Sequence, residues 1–385
     1  MKIPDFLYPW LQRLARLPYL LVYGAVCLFH PVKPNTVIFI CTRGLVLHDN
    51  LRYIRDALNT EIYSTKEFFT QARGFRGFMN RLRLAAEIAH TEYTLIDDVF
   101  PMIYVFPIRR GARLIQVWHA LGAMKRMGFS CLGKPGGTTP TTLTHRNYTD
   151  TIVSSDEIRP LYAEAYGVDL ETVHPTGVPR SDLFFDEATK ARVRADLFAE
   201  FPVLKDRRVI LFAPTFRSGG DRGVHYPQEY LNLDLVATAL GDKDLFVIKM
   251  HPFVRQRWEI PQNLRDQIVD LSDYPEFNNL LLVSDLLITD YSSAIFDNAL
   301  LRKPVVFYTP DFEQYDDWRG FYYPFEAYTY GPVVTDLESL LTQLGTTTID
   351  EQQWSEFHER FLNRCGGNAT QRLVDTIFVS RLRNS

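Results

Sequence analysis

Residues 284–303 read SDLLITDYSSAIFDNALLRK. Leu286 to Thr289 is an unbroken apolar run that stops at Asp290. Ser292 and Ser293 follow, and then Ile295, Phe296, Ala299 and Leu300 recur at helical spacing. A strand without polar alternation is one buried on both faces, as in a parallel sheet, and a helix directly after it completes half of a βαβ unit. Working outward, the same grammar returns. Val209–Ala213 ends at Pro214-Thr215, Leu245–Met250 at His251-Pro252, and Pro304–Tyr308 at Thr309-Pro310. An earlier set comprises Thr36–Cys41, Thr94–Ile96, Ile103–Phe106, Leu114–His119 and Thr151–Ser154. The fold class expected is α/β with parallel sheets. Ligands of such sheets bind beyond the carboxyl ends of the strands, so chemistry is sought in the loops named.

The two sets are separated by a polar stretch, Ser181 to Arg208, and 385 residues exceed one ordinary core. We therefore expect two domains, residues 1–183 and 184–385. The stretch from Glu351 to Leu382 reads as helical and is expected to pack back on the first domain. Apolar residues at 46% and charged ones at 23% exclude a disordered chain. Through Lys190 the chain carries 22 Lys/Arg against 18 Asp/Glu, and beyond it 20 against 28. The first half is thus the one that could face anionic lipid or phosphate, but the excess is too small to suggest nucleic acid. Four cysteines without a CxxC pair give no zinc pattern and fit a reducing compartment.

Leu17 to His30 is uncharged for 14 residues, short of the roughly 20 that span a bilayer. Phe6, Trp10, Leu11, Leu14 and Leu17 lie at helical spacing beside Arg13 and Arg16. That pattern fits an amphipathic helix lying in a membrane interface, or a helix packed on its domain. Arg73 to Arg83, RGFRGFMNRLR, mixes basic and apolar residues in the same way.

The candidate chemistry sits at strand ends. His119 precedes the small-residue loop Ala120-Leu121-Gly122-Ala123, where a ligand can approach the backbone closely, and a histidine there can act as a general base. His251 ends another strand beside Lys249, a cation of phosphate reach or a solvated flank. Ser292 and Ser293 open a helix, where N–H groups attract phosphate or where Asp290 or Ser292 merely caps. Arg180, Thr215 and Arg217 lie on loops, and arginine suits bidentate phosphate contacts or simply the surface. No P-loop, post-strand GxGxxG or spaced DxD occurs, and Asp97-Asp98 and Asp316-Asp317 are adjacent pairs, so no cofactor and a metal-independent reaction are expected.

Taken in order, VWHALGAMK (117–125), TGVPRSD (176–182), LFAPTFR (211–217), IKMHP (248–252), the 282–308 block containing DYSS, and DFEQYDDWRGFYYPFE (311–326) resemble the CDP-glycerol glycerophosphotransferase family of teichoic acid synthesis. The resemblance implies a GT-B architecture, two Rossmann-like domains facing a cleft, attached to the cytoplasmic face of the cell membrane through the first. It implies His119 as the base that deprotonates the acceptor and His251 as the group that contacts the donor diphosphate and helps CMP leave. It places Ser292, Ser293 and Asp297 near phosphate, and Arg180, Pro214, Thr215, Lys249 and Met250 around CDP-glycerol. The acceptor implied is a lipid-linked disaccharide. The family's polymerases usually read Trp-His-Gly-Thr-Pro where this chain has Trp118-His119-Ala120-Leu121-Gly122. The chain also lacks their long N-terminal extension. Both points look more like the priming members, which add the first glycerol phosphate. A glycerol- or ribitol-phosphate polymerase and a sugar-nucleotide glycosyltransferase are the alternatives, and a catalytically dead lipid-surface scaffold is the non-enzymatic one.

Overall fold

The structure, a computed structural model, describes residues 8–42, 44–134, 137–140, 142–218, 223–315 and 319–379. Phe6, the side chains of Trp10, Leu11 and Arg13, and Asp316-Asp317 lie outside the described residues. The chain divides into two compact units, residues 1–180 with 368–385, and residues 181–367.

In the first unit six parallel strands are ordered β2-β1-β3-β4-β5-β6. They are β1 (Lys33–Cys41), β2 (Ser64–Phe69), β3 (Thr91–Ile96), β4 (Arg113–Gln116), β5 (Asp150–Ile152) and β6 (Val173–His174). Their helices are α1 (Tyr8–Phe29), α2 (Asp49–Ala57), α3 (Gly74–Ile88) and α4 (Arg159–Tyr166). In the second unit β7 (Arg208–Phe212), β10 (Asp244–Ile248), β11 (Ile268–Asp270), β12 (Leu286–Thr289), β13 (Val305–Tyr308) and β14 (Val333–Val334) form a second parallel sheet, ordered β11-β10-β7-β12-β13-β14. A small antiparallel pair, β8 (Arg217–Ser218) and β9 (Val224–His225), leaves β7's loop. The helices here are α5 (Glu187–Glu200), α6 (Leu233–Ala239), α7 (Phe277–Val283), α8 (Ala294–Leu300), α9 (Leu337–Gln343) and α10 (Glu351–Leu362).

Both orders reverse direction once. In the first unit the reversal falls between β1 and β3, in the second between β7 and β12. In each unit taken by itself, the carboxyl ends of that strand pair are where an open parallel sheet places its ligand. The apolar runs read from the sequence are the central strands, and their residues are buried on both faces.

Three expectations change. Ile103–Phe106 is not a strand: Ile103–Val105 makes a single 3₁₀ turn between Pro101 and Pro107, with Ile103, Tyr104 and Phe106 buried as loop residues. The polar stretch 181–208 does more than separate the two sets, because α5 lies inside it as part of the second unit. The C-terminal stretch is split. Helix α10 belongs to the second unit, while α11 (Ala369–Val374) and the π-turn after it belong to the first. There Leu373, Val374, Ile377 and Phe378 join the core of β1, β3 and α2, and Phe378 packs on Tyr63 and Tyr93. Arg113 donates to the Ile377 carbonyl at 2.6 Å and to Asp150 at 2.7 Å. Burial works to raise the Asp150 carboxyl, but hydrogen bonds from His174 and Arg113 outweigh it and hold it down at about 2.

Candidate active site

In the second unit the loops after β7 and β12 are bolted together at the switch point. Asp290, fully buried, accepts the Thr215 N–H at 2.7 Å and its hydroxyl at 2.8 Å through Oδ1. Its Oδ2 accepts from Arg217 at 3.0 Å. Arg217 then forks onto Asp311, with contacts of 2.5 and 2.9 Å, and donates to the Thr215 carbonyl at 3.0 Å. The guanidinium carbon lies 4.9–5.3 Å from the rings of Tyr226, Tyr291 and Tyr315. Burial disfavours its charge, yet hydrogen bonds to Asp311 and the charges of Asp290 and Asp311 outweigh that and hold it above its ordinary range. The fork that could have bound a phosphate is therefore engaged by protein carboxylates. Arg217 shapes the crevice, while Pro214 is buried and Thr215 half-buried on its rim.

Past β12, Ser292 Oγ accepts the Ala294 N–H at 3.2 Å and Ser293 is exposed. Helix α8 begins only at Ala294, and Asp297 is buried within it. At the end of β10, Lys249 is drawn inward. Its ammonium donates to the carbonyls of Ser272 and Tyr274, both at 2.7 Å, and burial lowers its pKa, with Arg257 adding to the effect. Met250 is a core residue, 1% exposed, whose N–H is held by Ser272 Oγ at 2.8 Å. These two residues fasten the loop after β11, and neither side chain lines an open surface. His251 does emerge, flanked by Phe216 and Phe253 with ring centroids 4.8 Å away on each side. Its Nδ1 accepts the Phe253 N–H at 3.1 Å, which leaves the ring proton on Nε2.

In the first unit β4 stops at Gln116, and Trp118 takes a left-handed backbone, φ +49. That turn presents His119, about one-third exposed, with its ring stacked on Trp118 at 4.3 Å. His119 Nδ1 lies 3.2 Å from the carbonyl of Asp97, at the end of β3, and 3.9 Å from the Asp98 carboxylate. A carbonyl cannot donate, so Nδ1 carries the proton and Nε2 is the basic nitrogen. Asp98 stands where it would stabilise the imidazolium. Gly122, φ +64, donates its N–H to Ser154 Oγ and receives Tyr162 OH on its carbonyl, both at 2.9 Å, so its backbone shapes the loop from within. Arg180 is buried, and its N–H donates to Asn50 at 2.8 Å.

The structure thus gathers Pro214, Thr215, Arg217, His251, Ser292 and Ser293 at the carboxyl ends of three adjacent strands in one unit. In the other it joins His119 to Arg180 through a residue the sequence reading missed, Asn50. Asp290 and Asp311 were missed as well. Local sequence shows Asp290 only as a cap, because Thr215 and Arg217, which it binds, lie some 75 positions away in the loop after β7. Among the described residues, no group of three His, Cys, Asp or Glu gathers as metal ligands do.

A model of the CDP-glycerol:poly(glycerophosphate) glycerophosphotransferase family matches residues 22–379. The chain belongs to this family. The teichoic acid poly(ribitol-phosphate) polymerase of Bacillus spizizenii is 41% identical over 350 residues, covering 90% of this chain but 56% of its own length. The chain thus spans little more than half of that relative. The teichoic acid ribitol-phosphate primase of the same organism is 31% identical over 382 residues, covering 96% of this chain and 97% of its own. Its glycerol-phosphate primase is 29% identical over 294 residues, covering 75% and 74%. The wall teichoic acid polymerase TagF superposes with a TM-score of 0.76 at 21% identity over 100% of this chain and 99% of that one. The shared fold is GT-B, two Rossmann-like units. The glycerophosphotransferase family is one of transferases in teichoic acid biosynthesis. The glycerol preference expected from the motifs is not what the more similar relatives carry in their names.

Proposed function

We propose that this glycerophosphotransferase-family chain transfers ribitol phosphate from a CDP-activated donor to a lipid-linked teichoic acid acceptor and releases CMP. What supports the chemistry is one histidine in each unit with its Nδ1 engaged by backbone: His119 Nδ1 faces the Asp97 carbonyl, which leaves Nε2 to accept, and His251 Nδ1 accepts the Phe253 N–H, which leaves Nε2 to donate. His119 Nε2 takes the proton of the acceptor hydroxyl as its oxygen attacks the polyol-bearing phosphorus. The bond from that phosphorus to the bridging oxygen breaks, and CMP leaves with the electron pair. His251 Nε2–H donates a hydrogen bond to the phosphate oxygens, whose charge grows on the leaving side. The Ser292/Ser293 loop supplies hydroxyls near the diphosphate, while the Thr215 hydroxyl stays engaged by Asp290 and sets the rim of the site. Such transfer needs chiefly positioning and electrostatics, so no resident metal is invoked, and EDTA is expected to leave turnover unchanged.

Ribitol is favoured over glycerol because the relatives named for ribitol reach 31–41% identity and the glycerol-phosphate primase 29%. Glycerol phosphate is the second reading, supported by the family's own description. Equimolar CDP-ribitol and CDP-glycerol, offered with a lipid-linked disaccharide that is bare or already primed, test this by product mass. Ribitol-phosphate increments are expected. Glycerol-phosphate increments alone would reverse the assignment, and the number of increments tells a primase from a polymerase.

We also propose that the first unit sits peripherally on the anionic cytoplasmic face of the membrane. Tyr19 and Tyr23 turn one side of α1 inward, onto Phe78 of α3 and onto Phe106. The other side shows Leu14, Leu17, Leu21 and Leu28, all exposed, with Phe75 and Met79 exposed on α3. An apolar stripe of this length is unusual on a surface left to water. Among the described residues no helix is long and apolar enough to cross a bilayer. Leu17→Glu with Leu21→Glu is expected to cut binding to phosphatidylglycerol vesicles by at least about tenfold in flotation assays. Unchanged flotation would remove the helix from the membrane face.

A further inference from the structure

The left-handed turn that presents His119 is held from both sides by buried side-chain amides. Trp118 donates its N–H to Gln116 Oε1 at 2.8 Å. Its carbonyl accepts from Asn50 Nδ2 at 2.9 Å, and the preceding carbonyl, of Val117, accepts from the same nitrogen at 3.2 Å. Both amides are 0% exposed. Each amide has a further partner on its other atom. Asn50 Oδ1 accepts the Arg180 N–H at 2.8 Å, and Gln116 Nε2 donates to Tyr148 OH at 3.0 Å. Tyr148 in turn meets Tyr104 OH at 2.6 Å and His145 Nδ1 at 3.1 Å.

A bulky residue at positive φ is disfavoured by about 1–2 kcal/mol and persists only where its surroundings over-determine it. Here the surroundings do so at the peptide units next to the proposed base. The same asparagine also sets the backbone at Arg180, a candidate substrate residue from a segment 130 positions away.

We propose that Asn50 and Gln116 are a positioning pair for the transfer reaction. By clamping Trp118 left-handed they aim His119 Nε2 at the acceptor hydroxyl and lock its tautomer against Asp97. This rests on the catalytic reading of His119, and the two are separable by experiment. Asn50→Ala and Gln116→Ala are each expected to lower kcat about 100-fold, as angström-scale misplacement of a reacting group does, with the donor KM changed less than about threefold. Because both act on one peptide unit, the double variant should lose little more than either single one, whereas two unrelated structural losses would multiply. Selective ¹⁵N-histidine spectra supply the second readout. Wild type is expected to show His119 protonated at Nδ1, and each variant a mixture of tautomers, with the melting transition still cooperative.

Near-wild-type kcat together with unchanged His119 shifts would overturn the clamp. So would a fully multiplicative double variant. A wild-type protein that releases no CMP with any CDP-polyol overturns the catalytic reading instead. In that case the ¹⁵N spectra alone judge the clamp, which stands if the variants lose the Nδ1–H tautomer and falls if they keep it.

Discussion

His119→Ala is expected to reduce CMP release by about three orders of magnitude while leaving the donor KM within about threefold. The reasoning is geometric. His119 lies in the first unit, at the end of a strand beside that sheet's own switch point, and the donor is proposed to sit mainly on the second unit. Removing the imidazole should therefore remove a contact made as the acceptor loses its proton and leave the binding of the nucleotide alone. The Asp97 carbonyl at 3.2 Å and the Asp98 carboxylate at 3.9 Å are the contacts on which the proposed role of this ring as a base rests. His119→Asn should not rescue, because an amide cannot take up the proton. A variant that kept more than about a tenth of wild-type kcat would assign the proton transfer to another group, since general bases contribute roughly 100-fold or more.

The largest effect on stability is expected at Arg217. Asp290, Arg217 and Asp311 have side chains 1%, 12% and 7% exposed, so neither carboxylate can recover water if the cation goes. Arg217→Leu leaves two buried negative charges without their common partner and should destabilise the second unit by roughly 3–5 kcal/mol. Thr215 would loosen as well, since Asp290 holds both its N–H and its hydroxyl. Arg217→Lys keeps the charge but cannot reproduce the fork onto Asp311, and is expected to fall between. Denaturant unfolding of the three proteins checks this. A loss below about 1 kcal/mol for Arg217→Leu would show that the carboxylates neutralise or hydrate at little cost. If stability held but donor affinity fell steeply, Arg217 would return to the substrate-binding role its sequence context suggests.

What could be read from the chain divides along a physical line. The central strands were legible because parallel strands buried on both faces write themselves as uninterrupted apolar runs, as Val209–Phe212 and Leu286–Thr289 do. Edge strands were not. β2, STKEFF, is polar where it meets water, and β6 and β14 have two residues each, too few for any period. Motif residues at strand ends were legible as candidates, but their direction was not. Lys249 and Met250 adjoin His251 in sequence, yet both are held inward by Ser272 while the histidine emerges. Arg217 looked like a phosphate ligand because nothing local showed that Asp311 stands opposite it. Asn50 was invisible for the same reason, since its partners are 67, 68 and 130 positions away.

The most direct test of the central claim is CMP release by the full chain across a donor panel of CDP-ribitol, CDP-glycerol and UDP-sugars, with the lipid-linked disaccharide present, bare or primed. The account predicts CMP in stoichiometric yield with polyol phosphate added to the acceptor, fastest from CDP-ribitol, and no UDP from the sugars. UDP release without CMP would make the chain a sugar transferase on the same fold. Silence from every donor would contradict the catalytic reading of His119 and His251 altogether.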